Sequence, residues 1–557
     1  MKVRTRGHLL ISVAGVLGIL GATTLATGQV APVSPPSDTD MATSLRLSPS
    51  QYKLAITDVF GESIRVDGRF EPEMRDQGML AIGARTENMT DSSLETYDNI
   101  ARAVAAQVVD ERHRAGFVGC KPRSDAGRDD ACAYAFFSRV GALLYRRPLT
   151  TGEIEGRASA AGAEADKLHN FYSGLRLSLA EMMVSPQFLF RYKRMEADPT
   201  HPGQQRMNAY DKASTLSFFL WNSTPDPELT RAAASGELNT NDGLKRQVDR
   251  MVDSARVASG VRAFFADMLV FSDFDAVSKD PNFFPRYTLS IKDQAQEQTL
   301  RTIIDHVVGR HGDYRDLFTT PNTFLTKDLA SLYAVPFIDA TANGQQQRWL
   351  PHTYPADDPR GGILSQASFT TLWSPSGRTS PTVRGKALRQ NILCQRVPAP
   401  PGNVDFKFVE DISNPKYKTT RDRLTAHRSE AMCAGCHKIT DPLGLALENF
   451  DSAGGFRSTE NGVRIDASGE TNGTMFDGPL GLAKVVHDDP AATACVAERM
   501  FAFETGYLPP KTESGWKQIE SKFAASRYDV LELMRQIALS DLSYRSPNTK
   551  PAPARNQ

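Results

Sequence analysis

The sequence predicts a mainly α protein, a chain of helical modules with short β hairpins and one chemically distinctive segment in its C-terminal third. Three observations carry this. Apolar residues recur at helical spacing through several long stretches. Clean period-two alternation is scarce, with the best strand signal in "VRIDASGE" at 463–470. The chain has 557 residues, 23% charged and 40% hydrophobic, which suits globular modules with ample apolar cores.

The elements follow in order. Lys2, Arg4 and Arg6 precede the apolar run "HLLISVAGVLGILGATTLATG", which closes on small residues at Ala26, Thr27 and Gly28. A basic start, a short apolar run and a small-residue exit read as a secretory signal peptide over 1–28. An uncleaved anchor is the alternative, and the run is near the lower limit for spanning a bilayer. The expectation is export to the periplasm or cell envelope of a bacterium, with no membrane span after cleavage. A Pro/Ser-rich linker covers 29–44. Helical modules are expected over 45–118, 119–200 and 201–345. In the first, "DSSLETYDNIARAVAAQVVDERHRAG" opens on Asp91 or Ser92 as cap and spaces Leu94, Ile100, Val104 and Val108 helically. "NFYSGLRLSLAEMMVSPQFLFRY" and "LKRQVDRMVDSARVASGVRAFFADML" behave likewise in the next two. A module over 355–470 is broken by "QRVPAPPGNV", and a last helical module over 471–545 places Val530, Leu533, Met534 and Ile537 on one face. The tail 546–557 reads as disordered. Lys+Arg and Asp+Glu are 65 each, so no net charge points to nucleic acid or an anionic membrane as partner.

Residues 433–437 read Cys-Ala-Gly-Cys-His. With 6 Cys and 10 His in the chain, roughly 0.001 such matches are expected by chance. In c-type haem attachment two thiols add to the vinyl groups and the adjacent histidine ligates the iron. The expectation is one covalent haem c on Cys433 and Cys436, with His437 as axial ligand to the iron. A thioredoxin-like dithiol would want a preceding strand, whereas "TTRDRLTAHRSEAM" reads as a polar helix. A structural zinc site would want a second close pair of ligands, and Cys394, His427, His487 and Cys495 are scattered singly.

Over about residues 45–545 the chain resembles the multi-module proteins, common in planctomycetes and myxobacteria, that carry a planctomycete cytochrome c-like segment and are named as domains of unknown function. The resemblance rests on "LRLSPSQYKLAITDVFG", "CAYAFFSRVGALLYRRPLTTGEI", "YDKASTLSFFLWNSTPDPELTRAAASGEL", "RGGILSQASFTTLW", "RTSPTVRGKALRQNILC", "RLTAHRSEAMCAGCHKITDPLGLALENFDSAGGFR", "FDGPLGLAKVV" and "CVAERMFAFETGYLP". It implies a largely helical c-type haem protein and no particular reaction. Two departures stand out. The family often has Met-Asp-Pro where this chain has Thr440-Asp441-Pro442, and a histidine before "RTSP" where it has "WSPSG".

Met475, in the Gly-rich "TNGTMFDG", is the candidate sixth iron ligand; a loop residue with no role is the alternative. Met500 reads as core, and His487 as a helix end facing water. Glu448, Asn449, Asp451 and Arg457 either frame the haem or simply cap and bridge a tight turn opened by Asp441-Pro442. Arg378, Arg384 and Arg389 are candidate partners for haem propionates. Among the other cysteines, Cys120 and Cys132 end a short polar loop and are expected to pair, which leaves Cys394 with Cys495. The leading functional expectation is an exported monohaem cytochrome-like protein that exchanges electrons with a redox partner. About 400 residues precede the motif, which raises a second expectation: a haem-dependent oxidoreductase of oxygen or peroxide chemistry, with a pocket built by the helical modules. A cell-envelope binding or scaffold protein with a structural haem is the third.

Overall fold

Most helices begin where a polar side chain replaces the missing turn. Ser48 accepts from the Gln51 amide while Gln51 returns the bond, and Thr150 and Glu153 do the same, so Pro49–Phe60 and Thr151–Leu168 both start on capping boxes. The helix over 91–108 is capped by Thr90, not by Asp91 or Ser92. Its Ile100, Val104 and Val108 are buried, but Leu94 is 45% exposed, because the buried stripe starts at Ser93 and Tyr97 and Leu94 lies off it. The computed structural model describes residues 44–86, 89–338, 348–398, 411–427 and 431–545. The expected signal peptide, linker residues 29–43 and tail lie outside these residues. Of Thr86, His427 and residues 431–433 only the backbone is described.

The apolar side chains form two cores. One gathers Pro49–Phe60, Asp91–Val108, Asp130–Tyr145, Thr151–Leu168 and Phe171–Val184 around Tyr52, Phe136, Phe137 and Phe188. The segments 45–118 and 119–200 thus share one interior. The other core draws on 201–345, 355–470 and 471–545 together, and Met79 and Ile82 join it from the N-terminal part. A buried ion pair, Lys193 Nζ to Glu504 Oε1 at 3.2 Å, ties the end of the first part to the C-terminal helix Pro490–Thr505. The expected single helix over 244–269 is two, Asn241–Val252 and Val257–Met268, because the chain turns at Asp253–Arg256. Val530, Leu533, Met534 and Ile537 are all buried along Val530–Leu539, as their spacing predicts. Among the described residues no helix is long and apolar enough to cross a membrane.

Strands are few, and among the described residues they form five two-stranded antiparallel sheets. Three are hairpins, including Thr459–Glu460 with Val463–Arg464 and Ser468–Thr471 with Thr474–Asp477, which fall on the expected strand segment. The other two join distant segments, Ser44–Arg46 to Phe190–Tyr192 and Asn322–Leu325 to Leu350–Thr353. Hairpins alone do not describe the β content.

Some of the closest packing in the molecule concerns Pro381–Ala387 and Ala431–Leu445. A Cβ on Gly385 would lie 1.9 Å from the Thr440 carbonyl oxygen, and one on Gly444 would lie 1.8 Å from that of Pro381. Two reciprocal glycines therefore let the helix backbones touch. Gly444→Ala is expected to force them apart and to cost about 3 kcal/mol or more, the upper range for overpacking. Denaturant unfolding of the variant checks this; a midpoint equal to that of the wild type would mean that the contact is looser than described.

Candidate functional site

The Cys-Ala-Gly-Cys-His motif lies within the helix Ala431–Leu445. Cys436 is a free, half-buried thiol, and a Cβ at Gly435 would meet nothing within 4 Å, so this turn faces open space. The Cys433 side chain lies outside the described atoms. His437 Nδ1 is 2.9 Å from Asp441 Oδ2 and 3.0 Å from Oδ1, one helical turn on. A carboxylate only accepts, so Nδ1 carries the hydrogen and the neutral ring bears its lone pair on Nε2. Asp441 is fully buried. The Thr382 hydroxyl donates to its Oδ1 at 2.8 Å from the neighbouring helix. The donor set, a free thiol followed by an imidazole of fixed tautomer on one helix, fits covalent haem attachment with histidine ligation.

Asp441-Pro442 does not open a turn, since the helix continues to Leu445. Pro442 brings no amide hydrogen, which loosens the carbonyls of the preceding turn. The Arg389 Nε donates to the Ile439 carbonyl there, and its Nη groups to Gln395 and, at 3.3 Å, Thr471. Arg389 is thus occupied in supporting the helix. The hairpin 468–477 packs on the same place: Gly469 faces the Phe476 ring and the Pro442 carbonyl. Met475 is next to Phe476 in the strand, on the opposite face of the hairpin, and is 71% exposed. Ligation by Met475 would require the hairpin to present its other face. Met500 is buried core. His487 contacts Asp488 at 2.7 Å and Asp316 at 3.2 Å, so this helix-end residue is bonded to carboxylates. The His427 side chain lies outside the described atoms.

The stretch "RTSPTVR" has a task at nearly every position. Ser380 caps the helix and Pro381 fills its first turn. The Thr379 hydroxyl donates to Glu448 Oε2 at 2.8 Å, and Thr382 serves Asp441. Arg384 is fully buried, and it donates to the carbonyls of Thr370, Leu447, Phe450 and Asp451 and to the Ser374 hydroxyl. Burial brings its guanidinium down to about 10. It does not reach a propionate, because these acceptors consume its donors. Arg457 Nη2 bonds Glu448 Oε2 at 2.8 Å, Asn449 Nδ2 donates to the Arg457 carbonyl, and Asp451 Oδ1 accepts from the amides of Ala453 and Gly455. These four residues cap and bridge the turn. Arg378 Nη1 is 3.3 Å from the Thr379 carbonyl.

Both expected disulfides are present, Cys120–Cys132 with Cα atoms 5.7 Å apart and Cys394–Cys495 with 5.2 Å. Cys495 sits inside the helix Pro490–Thr505 rather than at its start. The second bridge pins this helix to the end of the segment that carries Arg384 and Arg389.

Three family models match in chain order. PSD5, a protein of unknown function (DUF1595), covers residues 132–192; PSD4, a protein of unknown function (DUF1592), covers 207–335; PSCyt3, a protein of unknown function (DUF1588), covers 360–460. The chain belongs to the planctomycete-type multi-module proteins built from these domains. The third match spans the Cys-Ala-Gly-Cys-His motif, Asp441 and Arg384. No curated protein and no solved structure matches the chain.

Sequence reasoning missed the role of Asp441, although its i+4 spacing from His437 on a helix was a usable signal. It missed Lys279 altogether. Lys279 Nζ donates to the carbonyls of Thr371, Ser374 and Pro375 at 2.8, 2.7 and 3.2 Å, gripping the same helix end as Arg384. Burial, with the Arg384 guanidinium nearby, brings its ammonium from 10.5 down to about 7. Between these values the unfolded chain binds a proton that the folded protein does not, so this residue makes stability rise with pH across the window. Lys279→Met removes that dependence. Wild-type stability minus that of the variant is expected to rise from pH 7.5 to 9, by at most about 1.4 kcal/mol per pH unit. Thermal melts at both pH values measure it, and a difference that falls with pH would contradict the linkage.

Proposed function

We propose that the protein is an exported monohaem cytochrome c-like protein that exchanges single electrons with a redox partner. The observation that carries this is the His437–Asp441 pair beside the free Cys436 thiol on one helix. The Cys433 and Cys436 thiols would hold one haem c as thioethers and His437 Nε2 would ligate its iron. Bound haem supplies the one-electron redox chemistry. The chain's own residues do the rest. Asp441 keeps the hydrogen on Nδ1 and fixes the ring plane, which also makes Nε2 a more basic donor. Thr382 donates to Asp441 and holds the carboxylate in place. Arg389 and the hairpin 468–477 brace the helix at Pro442. Two disulfides suit an oxidising compartment, which supports export.

A second reading, an oxidoreductase of oxygen or peroxide chemistry, is favoured by two features. A carboxylate-bonded imidazole is electron-rich and lowers the potential of the metal it holds. Met475 is on the hairpin face turned away from the motif helix, which favours a sixth position without a methionine.

Protein exported with a cytochrome c maturation system is expected to keep haem through acid-acetone extraction and to show a c-type pyridine haemochrome. Cys436→Ala should leave at most one thioether. Haem that extracts freely, or zinc in its place, would sink the reading. Asp441→Asn is expected to raise the reduction potential and to shift the EPR spectrum, with retention of iron ligation weakened about 10- to 100-fold. Redox titration checks this; an unchanged potential would mean that Asp441 does not tune the imidazole. A low-spin spectrum with a methionine–iron charge-transfer band supports electron transfer, and a high-spin spectrum that responds to peroxide supports the second reading.

A further inference from the structure

Where helices of the two cores face each other, a cavity of about 630 Å³ opens. The strand Ser44–Arg46, the first turn of Pro49–Phe60, the helices Leu80–Thr86 and Val257–Met268 and Phe503 contribute to its lining. Its volume falls within the range of small-molecule sites, which favour such seams.

Two polar groups on its wall have no partner. Arg191 is 6% exposed, its Nε is sealed from solvent without an acceptor, and among the described residues its side chain makes no hydrogen bond or ion pair. Its one close neighbour of note is the Phe218 ring, 5.5 Å from the guanidinium carbon. This sets it apart from the buried Arg146, Arg360 and Arg499, each of which donates to two or more carbonyls. Glu504 acts on Arg191 through space but is bonded to Lys193, so no carboxylate contacts the guanidinium. The second group is Asn222 Oδ1, on a residue that is 3% exposed; Nδ2 donates to Ser50 Oγ at 3.2 Å and the carbonyl oxygen has no donor. Arg262 is paired with Glu297 and Asp267 with Arg75, and Arg46, Lys53 and Glu73 also line the wall. The positive end of the helix Pro49–Phe60 also faces the cavity.

We propose that this cavity binds a small organic carboxylate, with the carboxylate on the Arg191 guanidinium and an adjacent hydroxyl or amine donating to Asn222 Oδ1. A guanidinium presents a planar fork that matches a carboxylate. Asn222 Oδ1 can only accept, so the ligand must also bring a donor. Leu45, Leu54, Leu300 and Phe503 offer an apolar wall for the body of the ligand. The site does not depend on haem, so its test is separate from that of the proposed function.

Calorimetry of the full chain with mandelate, phenylacetate, mandelamide and phenyl phosphate decides the matter. Mandelate has the charge, the hydroxyl and an apolar ring. It is expected to bind at least about 10-fold more tightly than phenylacetate, which lacks the hydroxyl, or mandelamide, which lacks the charge. Arg191→Met should weaken mandelate at least about 10-fold, and it should fold, since it removes a buried cation without a contacting counterion. Asn222→Asp keeps an acceptor and adds a like charge, so it should weaken mandelate more than mandelamide. No binding of any probe at about 10 mM, equal binding to wild type and Arg191→Met, or tighter binding of phenyl phosphate than of mandelate would each overturn the proposal.

Discussion

The contact between Pro381–Ala387 and Ala431–Leu445 sets the positions of everything around the motif. Gly385 and Gly444 allow the backbones to meet, and the buried Arg384 guanidinium closes the assembly by gathering acceptors from Thr370, Ser374, Leu447, Phe450 and Asp451. A fully desolvated guanidinium is costly unless its donors are satisfied. Each of those acceptors is therefore held in register by the need to pair that charge. Lys279 completes the arrangement at the same place by taking the carbonyls at the end of Ala367–Leu372.

This rigidity has a chemical consequence. Asp441 lies on the face of the motif helix that meets Thr382, so its carboxylate is buried, bonded and fixed. His437 inherits that order through Nδ1. By contrast, the preceding turn around Gly435 faces open space. The helix is anchored along one side and open at Gly435, as the proposed haem attachment would require. Pro442 would weaken an isolated helix, but here Arg389 and the 468–477 hairpin compensate at the same turn.

The large N-terminal part acquires a reason of its own from the seam between the cores. Several buried cations in this protein donate to carbonyls. Arg191 and Asn222 depart from that pattern within one cavity, where the proposed ligand would pair them. The Lys193–Glu504 pair beside them links this region to the C-terminal helix that the Cys394–Cys495 bridge joins to the segment after Pro381–Ala387. The seam and the motif thus share a continuous scaffold.

Local chemistry was legible in the sequence: helix spacing, caps within a residue or two, strand character at 463–470, and the Cys-Ala-Gly-Cys-His motif whose residues adjoin in the chain. The Cys120–Cys132 bridge was legible for the same reason, since a short loop brings its ends together. What depends on distant segments was not. Arg384 and Arg389 read as free arginines until their acceptors, about 50 to 70 residues away, came into place. The face presented by Met475 follows from the register of its hairpin against Phe476 and Pro442, and a one-residue slip would reverse it. The seam cavity has no signature in the chain at all, because Arg191 and Asn222 acquire a common wall only when two cores pack together. Sequence alone determined which groups could react; tertiary packing decided which were consumed by the fold and which remained available, because burial forces every polar group to find a partner or to wait for one.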